Sequence, residues 1–293
     1  MFYIVAVMTG VLTAMTIVAN GQLGETLDIY RSSVLVHVVG LFTQSLITYF
    51  KKADTRLRSG LPFWCYMGGT MGVFTVVFSN YAFTSLGVTG VLALNLLGMS
   101  VMSVLTDQFG WFGMRRYPLT KYKALSIAII TAGVLLLLLP LDIGAGLSIV
   151  LAFMTGVIVV VSRTMNTRTL HFYNLPVSTM LNYLTGLIMS VILLVIMNPG
   201  ALMAPFPLDP NWIMYTGGAV GAIMVSLVTL ITSKLSAFNV TVLTFLGQYF
   251  FGMVIDAFIG RTPTVKGVVA GLIVLLGLIV NYLANKRTGT LVT

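Results

Sequence analysis

Charge is what this sequence has least of. Only 8% of its 293 residues are Asp, Glu, Lys or Arg, against about 25% in a soluble domain. A surface wetted on all sides is thereby excluded. Cysteine is nearly absent as well: Cys65 is the single one, so no disulfide can close within the chain. One cysteine and two histidines cannot assemble a usual zinc site. There is no HExxH run and no phosphate-binding loop, so neither a zinc protease nor a nucleotide-driven motor is offered. No enzyme constellation is visible, and no cofactor is implied.

What fills the space is apolar: 58% of residues are hydrophobic and the mean hydropathy is +1.01. A membrane-crossing helix needs about 20 such residues. Apolar runs fall at 2–19, 32–50, 61–84, 86–109, 122–140, 146–165, 175–197, 211–233, 236–259 and 265–284. The separators at 84–88 and 234–237 are almost chargeless, and each is either a tight hairpin or the middle of one long helix. The length of each pair, about 48 residues, favours two spans. The expected fold is an all-α integral membrane protein of ten transmembrane helices. The N-terminus lacks a basic stretch before its first run, which reads as a retained span and not a cleaved signal. Cys65 reads as a small core hydrophobe.

The net charge of +9 raises nucleic acid as a partner. The bases, however, sit in short loops between apolar runs, which is the pattern of membrane topology. With the N-terminus inside, Lys51, Lys52, Arg56, Arg58, Arg115, Arg116, Lys121, Lys123, Arg163, Arg168, Lys234, Lys286 and Arg287 are cytoplasmic, while only Arg31, Arg261 and Lys266 are outside. Both termini are expected in the cytoplasm, with the chain in a bacterial plasma membrane.

The sequence also repeats itself. Thr9, Gly10, Asn20 and Gly40 match Thr155, Gly156, Asn166 and Gly186 at an offset of 146. Tyr66, Gly68, Gly69, Gly72, Gly98 and Asp107 match Tyr215, Gly217, Gly218, Gly221, Gly247 and Asp256 at 149. Two five-helix units follow, at 1–143 and 144–285, with a tail at 286–293. Five is odd, so the second unit enters the membrane inverted. Loop charges agree: 51–58 carries four bases and the matching 198–210 none. Inverted repeats suit a central site that faces each side in turn.

Polar residues recur on single helix faces. The first segment shows Thr9, Thr13, Thr16 and Asn20; the sixth shows Thr155, Ser162 and Asn166, with Val159 in the second position. The second segment shows Ser33, His37, Gly40 and Gln44; the seventh Thr179, Tyr183, Gly186 and Ser190. The fourth shows Asn95, Met99, Ser103 and Asp107; the ninth Thr244, Gln248, Gly252 and Asp256. Polar groups at this depth turn inward. Hydroxyls there either glue helices together or line a cavity. The larger His37, Asn95 and Gln248 favour a cavity, because they need more partners, and His37 could also relay protons. Asp107 and Asp256 are either interfacial carboxylates paired with Arg115, Arg116 or Arg261, or a pair of gates or proton sites. Glu25 and Asp28 belong to a solvated outer mouth. The glycine pairs Gly68/Gly72, Gly217/Gly221 and Gly267/Gly271 have the spacing of close helix packing.

The stretches LNLLGMSVMSVLTDQFGWFG (94–113) and NGQLGETLDIYRSSVLVHVVG (20–40), repeated in part as TFLGQYFFGMVIDAFIG (244–260), resemble the YdcZ-like branch of the drug/metabolite transporter superfamily. The resemblance covers nearly the whole chain. It implies a membrane transporter, an exporter, built as two fused units where members are often one. The family's Gly-Gln before the fourth-helix aspartate stands here as Gly247-Gln248, but as Gly98-Met99 in the first half. The related small multidrug resistance proteins carry a first-helix glutamate; threonines here argue against their proton-coupled export of lipophilic cations. The expected partners are a small organic solute, the lipid bilayer and a coupling ion such as the proton, in a monomer or homodimer. The alternative is a non-transporting membrane protein that binds a lipid or a partner protein.

Overall fold

The computed structural model describes residues 1–56, 60–138, 146–202, 205, 209–258 and 265–287. They form nine α-helical runs with short 3-10 turns: α1 (Phe2–Leu27), α2 (Ile29–Phe50), α3 (Gly68–Phe109), α4 (Lys121–Leu138), α5 (Gly146–Phe172), α6 (Leu175–Met197), α7 (Gly217–Thr232), α8 (Ala237–Phe258) and α9 (Val265–Arg287). Seven stretches among the described residues are long and apolar enough to cross a membrane.

The run α3 holds 42 residues. As a straight rod it would measure about 63 Å, twice the hydrocarbon core. It is not a rod. Ser162 on α5 donates to the Gly68 carbonyl at 2.7 Å, and its neighbour Arg163 donates to Ser103 at 2.9 Å. Two adjacent side chains cannot touch points that a straight helix would hold about 52 Å apart. The chain therefore turns back within α3, which supplies two arms, and the described residues form ten helical segments.

Several ends are written in the sequence. Asp28 caps α2, its Oδ1 accepting from the Tyr30 and Arg31 amides at 2.8 and 3.1 Å. Asn174, its repeat mate at offset 146, caps α6 by accepting from Val177 at 3.1 Å. Each satisfies amides that a helix start leaves open. Gly110, left-handed at φ 66, closes α3.

Helices run longer than hydropathy alone suggests. Gln22 and Glu25 lie in the last turns of α1 and not beyond it, Arg31 in α2, and Arg163 and Arg168 inside α5. Lys123 lies in α4 and is buried. Backbone hydrogen bonds favour continuing a helix through the headgroup layer, and a polar bundle interior tolerates charge that lipid would not. The expected boundary at 143/144 falls outside the described residues, and α9 runs through Arg287 into the expected tail.

The halves interlock. α1 packs on α7 and α8, while α5 packs on α3; α2 meets α6 and α4 meets α9. The contacts obey the repeat in atomic detail. A β-carbon on Gly10 would strike the Thr244 carbonyl, and one on Gly156 would strike the Asn95 carbonyl. Gly247 abuts the Val7 carbonyl as Gly98 abuts that of Phe153. Only glycine lets these backbones approach so closely. The fifth helices follow at an offset of 144, a correspondence the sequence reading did not reach: Gly133 meets Val274 and Ala270, and Gly277 meets Ile130 and Ser126.

The ends confirm the inversion. Asn174 donates to the Asp54 carbonyl at 3.0 Å, tying the loop after α2 to the α5–α6 turn. Arg31 donates to the Pro205 carbonyl at 3.0 Å, and Asn211 to Gln22 at 3.1 Å, tying the loop after α6 to the α1–α2 turn. The matching loops thus lie at opposite ends of the bundle. The first of these ends carries Lys51, Lys52, Arg56 and Lys234 and is called the basic end below.

Candidate functional site

The threonine stripes bond to their own helices. Thr9 donates to the Val5 carbonyl, Thr13 to Thr9 and Thr16 to Thr13, each at 2.7 Å, and Thr155 donates to Leu151 at 2.9 Å. Thr244 does the same to Val240 at 2.8 Å. These hydroxyls are satisfied locally, so the helices carry them inward without an interhelical partner. Ser162 differs, reaching across to Gly68.

The seam between α2 and α6 holds two polar clusters related by the repeat. Toward one end, His37 Nδ1 lies 2.7 Å from the Ser33 carbonyl and 3.1 Å from Ser190 Oγ, which also meets Ser33 Oγ at 3.1 Å. Toward the basic end, Gln44 donates to the Pro176 carbonyl at 3.0 Å, and Ser226 Oγ lies 3.3 Å from Gln44 Oε1 and 3.1 Å from Thr179 Oγ1. Between them, repeat mates cross over: the His37 ring covers Gly186, and the Tyr183 ring covers Gly40. The Tyr183 hydroxyl reaches on to Gly221, whereas Gly72, the mate of Gly221, faces open space. The smaller imidazole leaves a gap where the phenol fills one.

The two first helices end their polar faces differently. Asn166 donates to Asn182 at 2.8 Å. In the first half the position of Asn182 is Val36, and the buried Oδ1 of the mate Asn20, set against Gly217, has no partner. Asn80 Nδ2, beside Gly24 one turn along α1, is buried without a partner too. At the α3–α5 crossing the side-chain oxygen of Asn95 is likewise buried and unsatisfied. Gln248 is buried at the mirror crossing of α1 with α8. Buried groups of this kind cost about 1–3 kcal/mol each unless a ligand or water completes them.

Asp107 is bound into a cluster at the basic end. Its carboxylate meets Lys123 Nζ at 2.8 Å and accepts from the Ala237 and Phe238 amides at 2.8 and 3.2 Å. It therefore neutralises Lys123 and caps α8, and its base is Lys123 and not Arg115 or Arg116. Arg163 lies alongside: one terminal nitrogen donates to Ser103 Oγ at 2.9 Å, the Ala237 carbonyl at 2.8 Å and Thr241 Oγ1 at 2.5 Å. The Asp256 side chain lies outside the described residues.

Sequence reasoning brought forward His37, Asn95, Asn20, Gln44, Ser103 and Tyr183, all of which face the bundle interior. It missed Arg163 and Lys123 as interior residues, and Thr241, Asn80, Asn182 and Ser226 altogether. The available signal was the polar run SRTMNTRTL (162–170), which continues the 3.6-residue face past the point where hydropathy falls. Among the described residues no three His, Cys, Asp or Glu are grouped to hold a metal.

Residues 1–136 and 147–280 each match the family described as "Putative inner membrane exporter, YdcZ". Comparison with curated proteins finds no match. A solved structure titled "Crystal structure of protein" is 15% identical, with a TM-score of 0.72 over 98% of this chain and 97% of that one. That likeness is one of fold.

Proposed function

We propose a function from one premise: the chain belongs to the YdcZ family of inner membrane exporters. It is a multi-pass membrane transporter. In our reading it moves a small organic solute by alternating access, with both termini in the cytoplasm. The observation that supports this most is the pair of glycine crossings. Gly10 on Thr244 and Gly156 on Asn95 each join the first helix of one half to the fourth of the other, in opposite orientations. Two swapped bundles result, α1 with α7 and α8, and α3 with α5. Within each bundle the backbones are locked in contact and move together. Asn80 of α3 lies between the bundles, beside Gly24 of α1, with its amide unsatisfied, and the unsatisfied Asn20 and Asn95 sit at the α1–α7 and α3–α5 contacts. Rocking one bundle on the other opens these groups to alternate sides.

The test is reconstitution in liposomes on a solid support, recording currents for a panel of small solutes with and without a pH gradient, followed by isotope uptake for electroneutral exchange. A saturable signal for one chemical class, reduced in Asn95→Leu, is expected. Silence in both assays would replace transport with lipid or partner binding.

A further inference from the structure

Asp107, Lys123 and Arg163 are acidic or basic residues buried among the described residues, each less than a tenth exposed. Their charges do not cancel. Asp107 is committed to Lys123 and to the start of α8. Arg163 is left with neutral acceptors, two hydroxyls and a carbonyl, all on a single terminal nitrogen; Asp107 acts on it only through space. Its Nε is buried with no partner at all. A guanidinium offers five donors in a planar fork that matches a carboxylate. An uncompensated charge at this depth is unfavourable and is a mark of function.

The repeat supplies a control within the same molecule. At the offsets of 146 and 149, the counterparts of Arg163, Ser103 and Thr241 are Ile17, Gly252 and Leu92. At these three positions the other half carries neither charge nor hydroxyl, so the repeated architecture does not itself call for Arg163. The two hydroxyls flanking it share a hydrogen bond at 2.7 Å, and each can turn its proton outward when an anion arrives.

We infer that Arg163, flanked by Ser103 and Thr241, is the charge-recognition group of the transport path and takes a solute bearing a carboxylate. This rests on the transport reading above. The solute reaches Arg163 when the basic end opens and separates α8 from α3 and α5.

The test uses the full chain purified in a neutral detergent. Thermal unfolding is followed against acetate, benzoate and phenylacetate, each beside its primary amide at equal ionic strength. At least one carboxylate is expected to raise the melting temperature where its amide does not. In Arg163→Gln that carboxylate binds on the order of ten- to a hundredfold more weakly, the range of one charge-assisted hydrogen bond. Arg163→Lys retains part of the effect. Should Arg163→Gln fail to fold, Ser103→Ala with Thr241→Val keeps the guanidinium and is expected to weaken binding. No carboxylate outperforming its amide in the wild type overturns the inference, and so does an effect that survives in Arg163→Gln. Stabilisation by phosphatidylglycerol micelles alone overturns it in favour of a lipid site. Liposome uptake of neutral solutes without carboxylate preference sinks this inference but leaves transport standing. A carboxylate-specific shift with no transport of any solute keeps Arg163 as a carboxylate site but sinks the transport reading and with it the assignment to a transport path.

Discussion

Asp107→Ala removes a carboxylate with three buried partners. Lys123 loses its counter-ion at 2.8 Å, and the Ala237 and Phe238 amides lose their acceptor at 2.8 and 3.2 Å. Breaking a buried pair from one side costs about 3–5 kcal/mol, because the remaining charge is stranded. Two open amides at the α8 start add to that, although such terms overlap. A loss of about 4 kcal/mol or more is expected. Lys123→Met should cost far less, about 1–2 kcal/mol, because Asp107 keeps both α8 amides and their positive helix end. Equilibrium unfolding in mixed micelles by SDS titration, followed through tryptophan fluorescence, measures both. The double variant closes the cycle and should cost less than the sum of the singles, since Lys123 is then no longer stranded. Equal losses for the two singles, or under about 1 kcal/mol for Asp107→Ala, would refute the assignment of Asp107 as cap and counter-ion.

Other outcomes follow from the repeat. Gly10→Val and Gly156→Val should both destabilise by about 1–3 kcal/mol or more, since each drives a β-carbon into a facing carbonyl; Gly72→Ala, which meets open space, should leave the thermal midpoint nearly unchanged. Gly186→Ala should be rescued in part by His37→Ala, because the new methyl group occupies the place of the ring; additive losses in thermal unfolding would contradict that contact. In a Cys65→Ala background, Thr55→Cys should react with an impermeant maleimide from the cytoplasmic side and Pro205→Cys from the opposite side; labelling from one side would refute the inversion.

The duplication was legible because its cause is steric. Each crossing needs glycine at one point, so Gly10, Gly98, Gly156 and Gly247 stay in register in both halves. The fifth helices hid theirs, because their match is Ser126 with Ala270 amid runs of Leu and Val, at a third offset. Around residues 84–88 composition left hairpin or rod open while length favoured a hairpin, and the contacts of Ser162 and Arg163 bear the hairpin out. In the site, large polar residues stood out, but spacing could not separate a threonine that lines a path from one that bonds its own helix. Arg163 was lost for a different reason. Counting every base near a span end as loop charge works for topology, yet it hides the base that folds inward. Asn20 shows the converse: its mate Asn166 is satisfied by Asn182, whose counterpart in the first half is Val36, and only the structure shows that the Asn20 oxygen is left buried without a partner.

In our reading two swapped bundles move against each other and expose one path to each side in turn. It can be tested by bridging the bundles at one end at a time. Gly24→Cys with Asn80→Cys joins α1 to α3 near the end opposite the basic loops. Ser103→Cys with Thr241→Cys joins α3 to α8 near the basic end, where the native hydroxyls lie 2.7 Å apart. With Cys65 replaced, solute flux in liposomes is measured before bridging, after a disulfide or short bismaleimide bridge, and after reduction of the disulfide. Either bridge alone is expected to stop flux, and reduction of the disulfide to restore it; undiminished flux through a protein bridged at either end would rule out alternating motion of the bundles.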